Sequence, residues 1–362
     1  MKSIDFSAER FKRVKEVFGK WWQGKNTRPL AGGIVLEKTP KGREPKIGVP
    51  CQQNISLKVP PEQYLDAIEY EFSKYSFYGD AFPYYNMDCF GPGIVAGFLG
   101  SKVDNSSGLV WFSAEPKDIE KLDFKFDEDN AWYRYVIDFC KKSAERFEGK
   151  IVFSMPDLGG VLDVLAVFLP EEAFLLSFYD SPDEVKRLTG QITKLWKLYY
   201  DNIAKALGSA GFGYSDWSHA YSEKPCYILQ SDSSIMISPE MFEEFSLPHL
   251  KQQTDYLDNT MFHLDGEGMV KFLDMILGIE KLKAMQWVPA PPYKRADEYP
   301  EIFTRYGASG KRIMMGQQDL SMVAGVAKQA GNANLIFNQS RPRPEAEKEH
   351  VLKWLKEYKI EL

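Results

Sequence analysis

Arg312-Ile-Met-Met-Gly-Gln-Gln-Asp-Leu-Ser-Met-Val-Ala-Gly-Val-Ala-Lys-Gln-Ala-Gly-Asn-Ala-Asn-Leu-Ile-Phe-Asn338 reads as one strand, helix, strand unit. Arg312 to Met315 is a short apolar run closed by Gly316, residues 319–329 carry helical spacing, and Leu335 to Asn338 is a second apolar run. Two parallel strands need a crossover of about a dozen residues or more, and a helix of this length supplies it. The rhythm repeats outward. Towards the N-terminus lie Ala284 to Trp287 with a helix before Gly307, Thr260 to His263 with a helix near Met269 to Ile276, and Tyr227 to Asp232 with a helix opened by Ser238-Pro239-Glu240. There Ser238 is suited to the N-cap and Pro239 to the first helical position. Ile151 to Asp157 precedes a helix over about Pro182 to Leu207, and a last helix runs from Pro344 to Tyr358. Strands near Ala31 to Leu36 and Ala81 to Asn86 complete a set of about eight. This count treats Gly213 to Asp216 and Tyr227 to Ile235 as two arms of one elaborated βα step near residues 211–236.

The expected fold is therefore α/β, a (β/α)8 TIM barrel. It is read as a single domain over residues 1–362 with an N-terminal helical extension at 1–28. An open, doubly wound sheet would carry a glycine-rich phosphate loop, and neither G-x-G-x-x-G after the first strand nor G-x-x-x-x-G-K-[ST] occurs. With 44% hydrophobic and 27% charged residues, a packed core is assured and disordered or collagen-like classes are excluded. A net charge of -6 without single-sign blocks argues against a nucleic-acid or anionic-membrane partner. Cys51, Cys89, Cys140 and Cys226 form no C-x-x-C pair, so free thiols are expected. The first residues lack the apolar run of a signal peptide, and the longest apolar stretch, Val161 to Leu176, is broken by Asp163, Pro170, Glu171 and Glu172. A cytoplasmic protein is expected.

In a βα barrel the chemistry sits where strands end. This selects Tyr85, Asn86 and Asp88; Asp157; Asp216 and Asp232; His263 and Asp265; Gln286 and Trp287; Gln317 and Gln318; Asn338 and Ser340. His263 and Asp265, two apart on a strand, share a face. They can hold one metal ion together or form a hydrogen-bonded acid/base pair; alternatively, His263 simply organises the loop. Asp157, Asp216 and Asp232 are the further candidate catalytic carboxylates. Asp157 alternatively caps a helix, and Gly159 and Gly160 beside it permit close backbone approach to a ligand. The substrate-binding candidates are Tyr85, Asn86, Trp217, His219, Gln286, Trp287, Gln317 and Asn338, with Tyr84 and Phe90 as further aromatic walls. His249 and His350 fall on helices and read as packing or surface residues. Lys283 and Lys311 precede their strands, which argues against a Schiff-base lysine at the site.

Three segments resemble the uroporphyrinogen decarboxylase superfamily, which includes zinc methyltransferases acting between methylated substrates, corrinoid proteins and thiols such as coenzyme M. Ser233 to His249 is similar to its S-P-x-x-F-x-E-F-x-L-P stretch, and Phe262-His-Leu-Asp-Gly266 stands where the methyltransferases have H-x-C-G. Met155 to Gly160 with Asp163, followed by Ser177 to Lys186, resembles a third family segment carrying D-x-P-E-x-V. The likeness runs from about residue 60 onward. It implies a barrel, zinc and a corrinoid carried on a partner protein. Asp265 replaces the first family cysteine and Ser340 stands near the second, so the implied metal site is oxygen-rich and built on His263 and Asp265. The decarboxylases' R-Q-A-G-R segment is replaced by Gly32 to Pro40, without an arginine pair. Three functions follow: methyl transfer from a small methylated substrate to a corrinoid or thiol; decarboxylation of uroporphyrinogen or another polycarboxylate, with Arg312, Arg341 and Arg343 as cationic contacts; or a ligand-binding barrel without catalysis.

Overall fold

Sequentially adjacent strands joined by helices produce a parallel sheet in the computed structural model, which describes residues 4–40, 42–292 and 294–360. Residues 1–3 of the predicted N-terminal extension lie outside the described residues. The strands are β1 (Leu30–Leu36), β2 (Tyr75–Gly79), β3 (Tyr84–Tyr85), β4 (Lys102–Asp104), β5 (Trp111–Ser113) and β6 (Val152–Phe153). They continue with β7 (Cys226–Leu229), β8 (Asn259–Asp265), β9 (Ala284–Val288), β10 (Arg312–Met314), β11 (Ile336–Gln339) and β12 (Arg343–Pro344). Six pair in the order β7-β8-β9-β10-β11-β1, every neighbour parallel. The first strand thus lies beside one of the last.

Each of the eight predicted strands contains a paired segment, often shorter than expected, but one continuous ladder does not hold them. β3 and β6 form a separate parallel pair. Beyond it, the Met155 N–H donates to the Ser215 carbonyl at 2.7 Å, in an extended segment where Tyr214 and Ser222 exchange two hydrogen bonds. This segment occupies the predicted elaborated step, and a turn over Asp232–Met236 completes it. Two features escape the sequence reading. β2 pairs antiparallel with β1, and β4 with β5 forms a surface hairpin.

The expected helices form with small shifts. Pro182–Ala206 runs 25 residues with Val185, Leu188, Ile192, Trp196, Tyr199 and Ile203 on its buried face. The Ser238 side chain accepts from the Met241 N–H at 3.2 Å, capping Pro239–Met241 as expected. A π-turn over Phe242–Ser246 follows, immediately before Leu247 and Pro248, where the missing proline N–H cannot continue a regular ladder.

The N-terminal helix, Ala8–Gln23, is part of the core. Phe18 and Trp21 are fully buried, and Trp21 and Trp22 donate their indole N–H groups to the Leu335 and Tyr221 carbonyls. Arg312 donates to the Trp21 carbonyl at 2.8 Å. This helix therefore covers the end where β7, β10 and β11 begin. Lys311, donating to the Ile279 and Leu282 carbonyls, and Lys283, donating to Asn259, are at the same end, as their places before the strands predict. All four cysteines are free. Among the described residues no helix is long and apolar enough to cross a membrane.

Candidate metal centre

The ends of β8 and β9 set the site. His263 and Gln286 are register partners across these parallel strands, and the His263 Nδ1 lies 2.6 Å from the Gln286 Oε1. An amide carbonyl only accepts, so Nδ1 carries the proton and Nε2 keeps its lone pair for a cation. Burial lowers the His263 pKa and keeps the ring neutral. The edge-on Trp217 ring, 4.8 Å away, fixes its tilt. Asp265 ends the same strand; Gly266 follows at φ 75°, turning the chain away while its N–H donates to the Val288 carbonyl.

Asp232 enters from the loop after β7. The Asp163 carboxylate accepts the N–H groups of Asp232 and Ser233, at 3.1 and 2.7 Å, and so clamps that loop. As a result Asp232, His263 and Asp265 offer ligand atoms within 4.8 Å of one another. Burial first, then the charges of Asp163, Asp265 and Asp157, push the Asp232 carboxyl well above the carboxylate range. Its Oδ1 is buried without a hydrogen-bond partner. A divalent cation fits this group: it would neutralise the two carboxylates and satisfy the orphaned oxygen. A cavity of about 260 Å³, lined in part by Gly159, Asp163, Gln230 and Asp232, opens beside the group.

Asp157 stands next to these residues. Its Oδ1 accepts from the Gly159 N–H at 2.8 Å and lies 3.4 Å from Gln230 Nε2, and burial pushes its pKa up to about 6. It closes a local turn rather than capping the next helix, whose N-cap is Gly160. Both glycines lie close to backbone. A Cβ on Gly159 would stand 2.8 Å from the Gly93 Cα, and one on Gly160 would stand 2.4 Å from the Gln230 carbonyl oxygen.

Several of the remaining candidates line a second cavity. The His219 ring lies 4.4 Å from Tyr84 and its Nε2 accepts from Gln317 at 3.1 Å; burial lowers its pKa to about 3. Tyr84, Tyr85, Asn86, Asp88, His219, Gln317 and Gln339 share a cavity of about 220 Å³. Asp216 is fully buried, its Oδ1 accepting from the Ser218 N–H and its carboxyl pushed up to about 6 by burial. Asn338 donates to the Gln318 carbonyl, and Trp287 packs on Tyr299 with its indole N–H unpartnered. Ser340 Oγ is likewise buried without a partner. Phe90 is no wall of the mouth; it is sealed in the core against Phe139. His249 is a packing residue against Thr193. Larger hollows of about 380 and 520 Å³ lie around Tyr70 and Phe212, and none of the candidate site residues lines them.

Sequence reading did not select Asp163 or Gln230 for the site. Asp163 was visible as a break in an apolar run and as part of a segment with family resemblance, not as a site residue, and Gln230 directly precedes the Ser231-Asp232 end of its strand. Arg312 is no strand-end cation; it begins β10 at the opposite end. No family model matches the sequence, and no curated protein matches it.

Proposed function

We propose that this protein is a metal-dependent methyltransferase on a closed (β/α)8 barrel, of the kind found in the uroporphyrinogen decarboxylase superfamily, moving a methyl group from a small substrate to a thiol or corrinoid acceptor. The observation that carries it is the convergence of Asp232, His263 and Asp265 at the strand ends. The pairing of β1 with β11 supports ring closure, since an open sheet would leave first and last strands apart.

Asp232, His263 and Asp265 would hold zinc, which would supply a Lewis acid that lowers the pKa of the acceptor thiol. Asp232 would hold the ion as a carboxylate, although burial raises its pKa when the ion is absent. His263 presents Nε2, with Gln286 holding the tautomer. Asp157 is the base for the acceptor thiol's proton: with a pKa of about 6 it is mostly ionised at neutral pH yet still basic enough to be protonated. The sulfur–carbon bond forms as the methyl carbon leaves its donor, which keeps the bonding pair. Decarboxylation of a polycarboxylate has less support, because Arg312 lies at the far end and Arg343 is spent on Asp319 and Glu347.

The test is a turnover assay of zinc-loaded protein with methylcobalamin and 2-mercaptoethanesulfonate, following thioether by mass spectrometry. Enzyme-dependent thioether is expected, falling on the order of a hundredfold or more in His263→Ala. Equal turnover in folded His263→Ala would contradict the assignment.

A further inference from the structure

The second cavity, which Tyr84, Tyr85 and His219 line and which includes none of Asp232, His263 and Asp265, has a chemistry of its own. Phe72, Tyr75, Tyr84 and Tyr85 contribute to its wall, and among the described residues no lysine or arginine lines it. The three tyrosine hydroxyls are already engaged: Tyr75 donates to Glu71 at 2.9 Å, Tyr84 to the Asp216 carbonyl at 2.6 Å and Tyr85 to the Pro50 carbonyl at 3.0 Å. What these residues offer a ligand is therefore ring surface.

The polar groups left over are acceptors. Gln339 is buried to 1% exposure, and its Oε1 has no hydrogen-bond partner. Asp88, an exposed residue whose carboxyl is partly buried and raised in pKa by that burial, lines the cavity with no ion-pair partner among the described residues, whereas Glu71 is neutralised by Lys74 at 2.8 Å. His219, kept neutral by burial, adds no positive charge. Aromatic faces with an unanswered carboxylate and an orphaned carbonyl complement a cation that carries apolar substituents.

We propose that this cavity binds a small alkylated ammonium ion, its nitrogen set against the rings and its charge answered by Asp88. The inference rests on the methyl-transfer reading and names its substrate class: an N-methylated ammonium compound. Its nitrogen–carbon bond breaks with the pair staying on nitrogen, so a neutral amine leaves as the acceptor's new bond to carbon forms. The loop Asp216 to His219 joins the two places, Trp217 lying against His263 and His219 against Tyr84.

Calorimetric titration of the metal-free, full-length protein with choline and with 3,3-dimethylbutan-1-ol, its uncharged isostere, tests the assignment. Choline is expected to bind on the order of tenfold more tightly than the alcohol. Asp88→Asn, on an exposed residue, is expected to remove most of that difference while leaving the alcohol unchanged, and Tyr75→Leu to weaken choline several-fold. Equal binding of the two compounds, or no binding of either, overturns the proposal. The metal-free format separates the failures. Absent choline binding with active thioether formation rejects this cavity alone; choline binding without thioether formation under any condition rejects the methyl-transfer reading.

Discussion

Asp216 shows how burial at one residue is expressed in the stability of the protein. Its Oδ1 accepts the Ser218 N–H, its Oδ2 has no partner, and its carboxyl is raised from the usual 3.8 to about 6. Between these values the folded chain holds a proton that the unfolded chain has released. The contribution of Asp216 to stability is therefore present below pH 4, is lost as pH rises to about 6, and is flat above that. The shift corresponds to roughly 3 kcal/mol at most. Asp216→Asn has no such titration. The melting temperature of the wild type relative to Asp216→Asn is expected to fall between pH 4 and pH 7, read by calorimetry at both; a constant difference would refute the buried, protonated assignment.

At the scale of elements, the helix Val161–Ala166 shows what a single Cβ would do to the site. On Gly160 it would lie 2.2 Å from Asp163 Oδ2 and 2.4 Å from the Gln230 carbonyl oxygen. Asp163 holds the Asp232 loop, and Gln230 leads directly into it. Gly160→Ala is expected to destabilise the protein by about 1–3 kcal/mol and to weaken zinc binding about tenfold; urea unfolding and metal titration measure the two effects. Unchanged values for both would show that the helix start does not position Asp163. The βα rhythm was readable because apolar runs and amphipathic helices are local patterns, and H-x-D at the end of β8 was readable because period two puts both residues on one face. Asp232 was visible as a strand-end acid but not as a third member of the candidate ligand group. Its approach to His263 depends on the Asp163 clamp, a contact across 69 positions that no local spacing encodes. β2 was missed for a related reason: Tyr75–Gly79 has no clean alternation and is defined by pairing with β1.

For the whole molecule, the N-terminal helix and the strand-end chemistry occupy opposite ends of the sheet. Trp21 seals the first end, fully buried and bonded through its indole to the Leu335 carbonyl. Trp21→Ala should cost about 3–5 kcal/mol in urea unfolding while leaving the zinc affinity of the folded protein unaltered. A loss below about 1 kcal/mol would mean that the helix is peripheral. At the other end, everything depends on whether Asp232, His263 and Asp265 act together as ligands. Because Asp232 must lose its raised proton, binding should strengthen with pH and release protons to the buffer. Calorimetric titration of zinc into the metal-free protein, in parallel with Asp232→Asn and His263→Ala, measures this most directly. The wild type is expected to bind one zinc per chain, with each variant at least ~100-fold weaker. No stoichiometric binding by the wild type, or the same affinity in both variants, would contradict the metal centre.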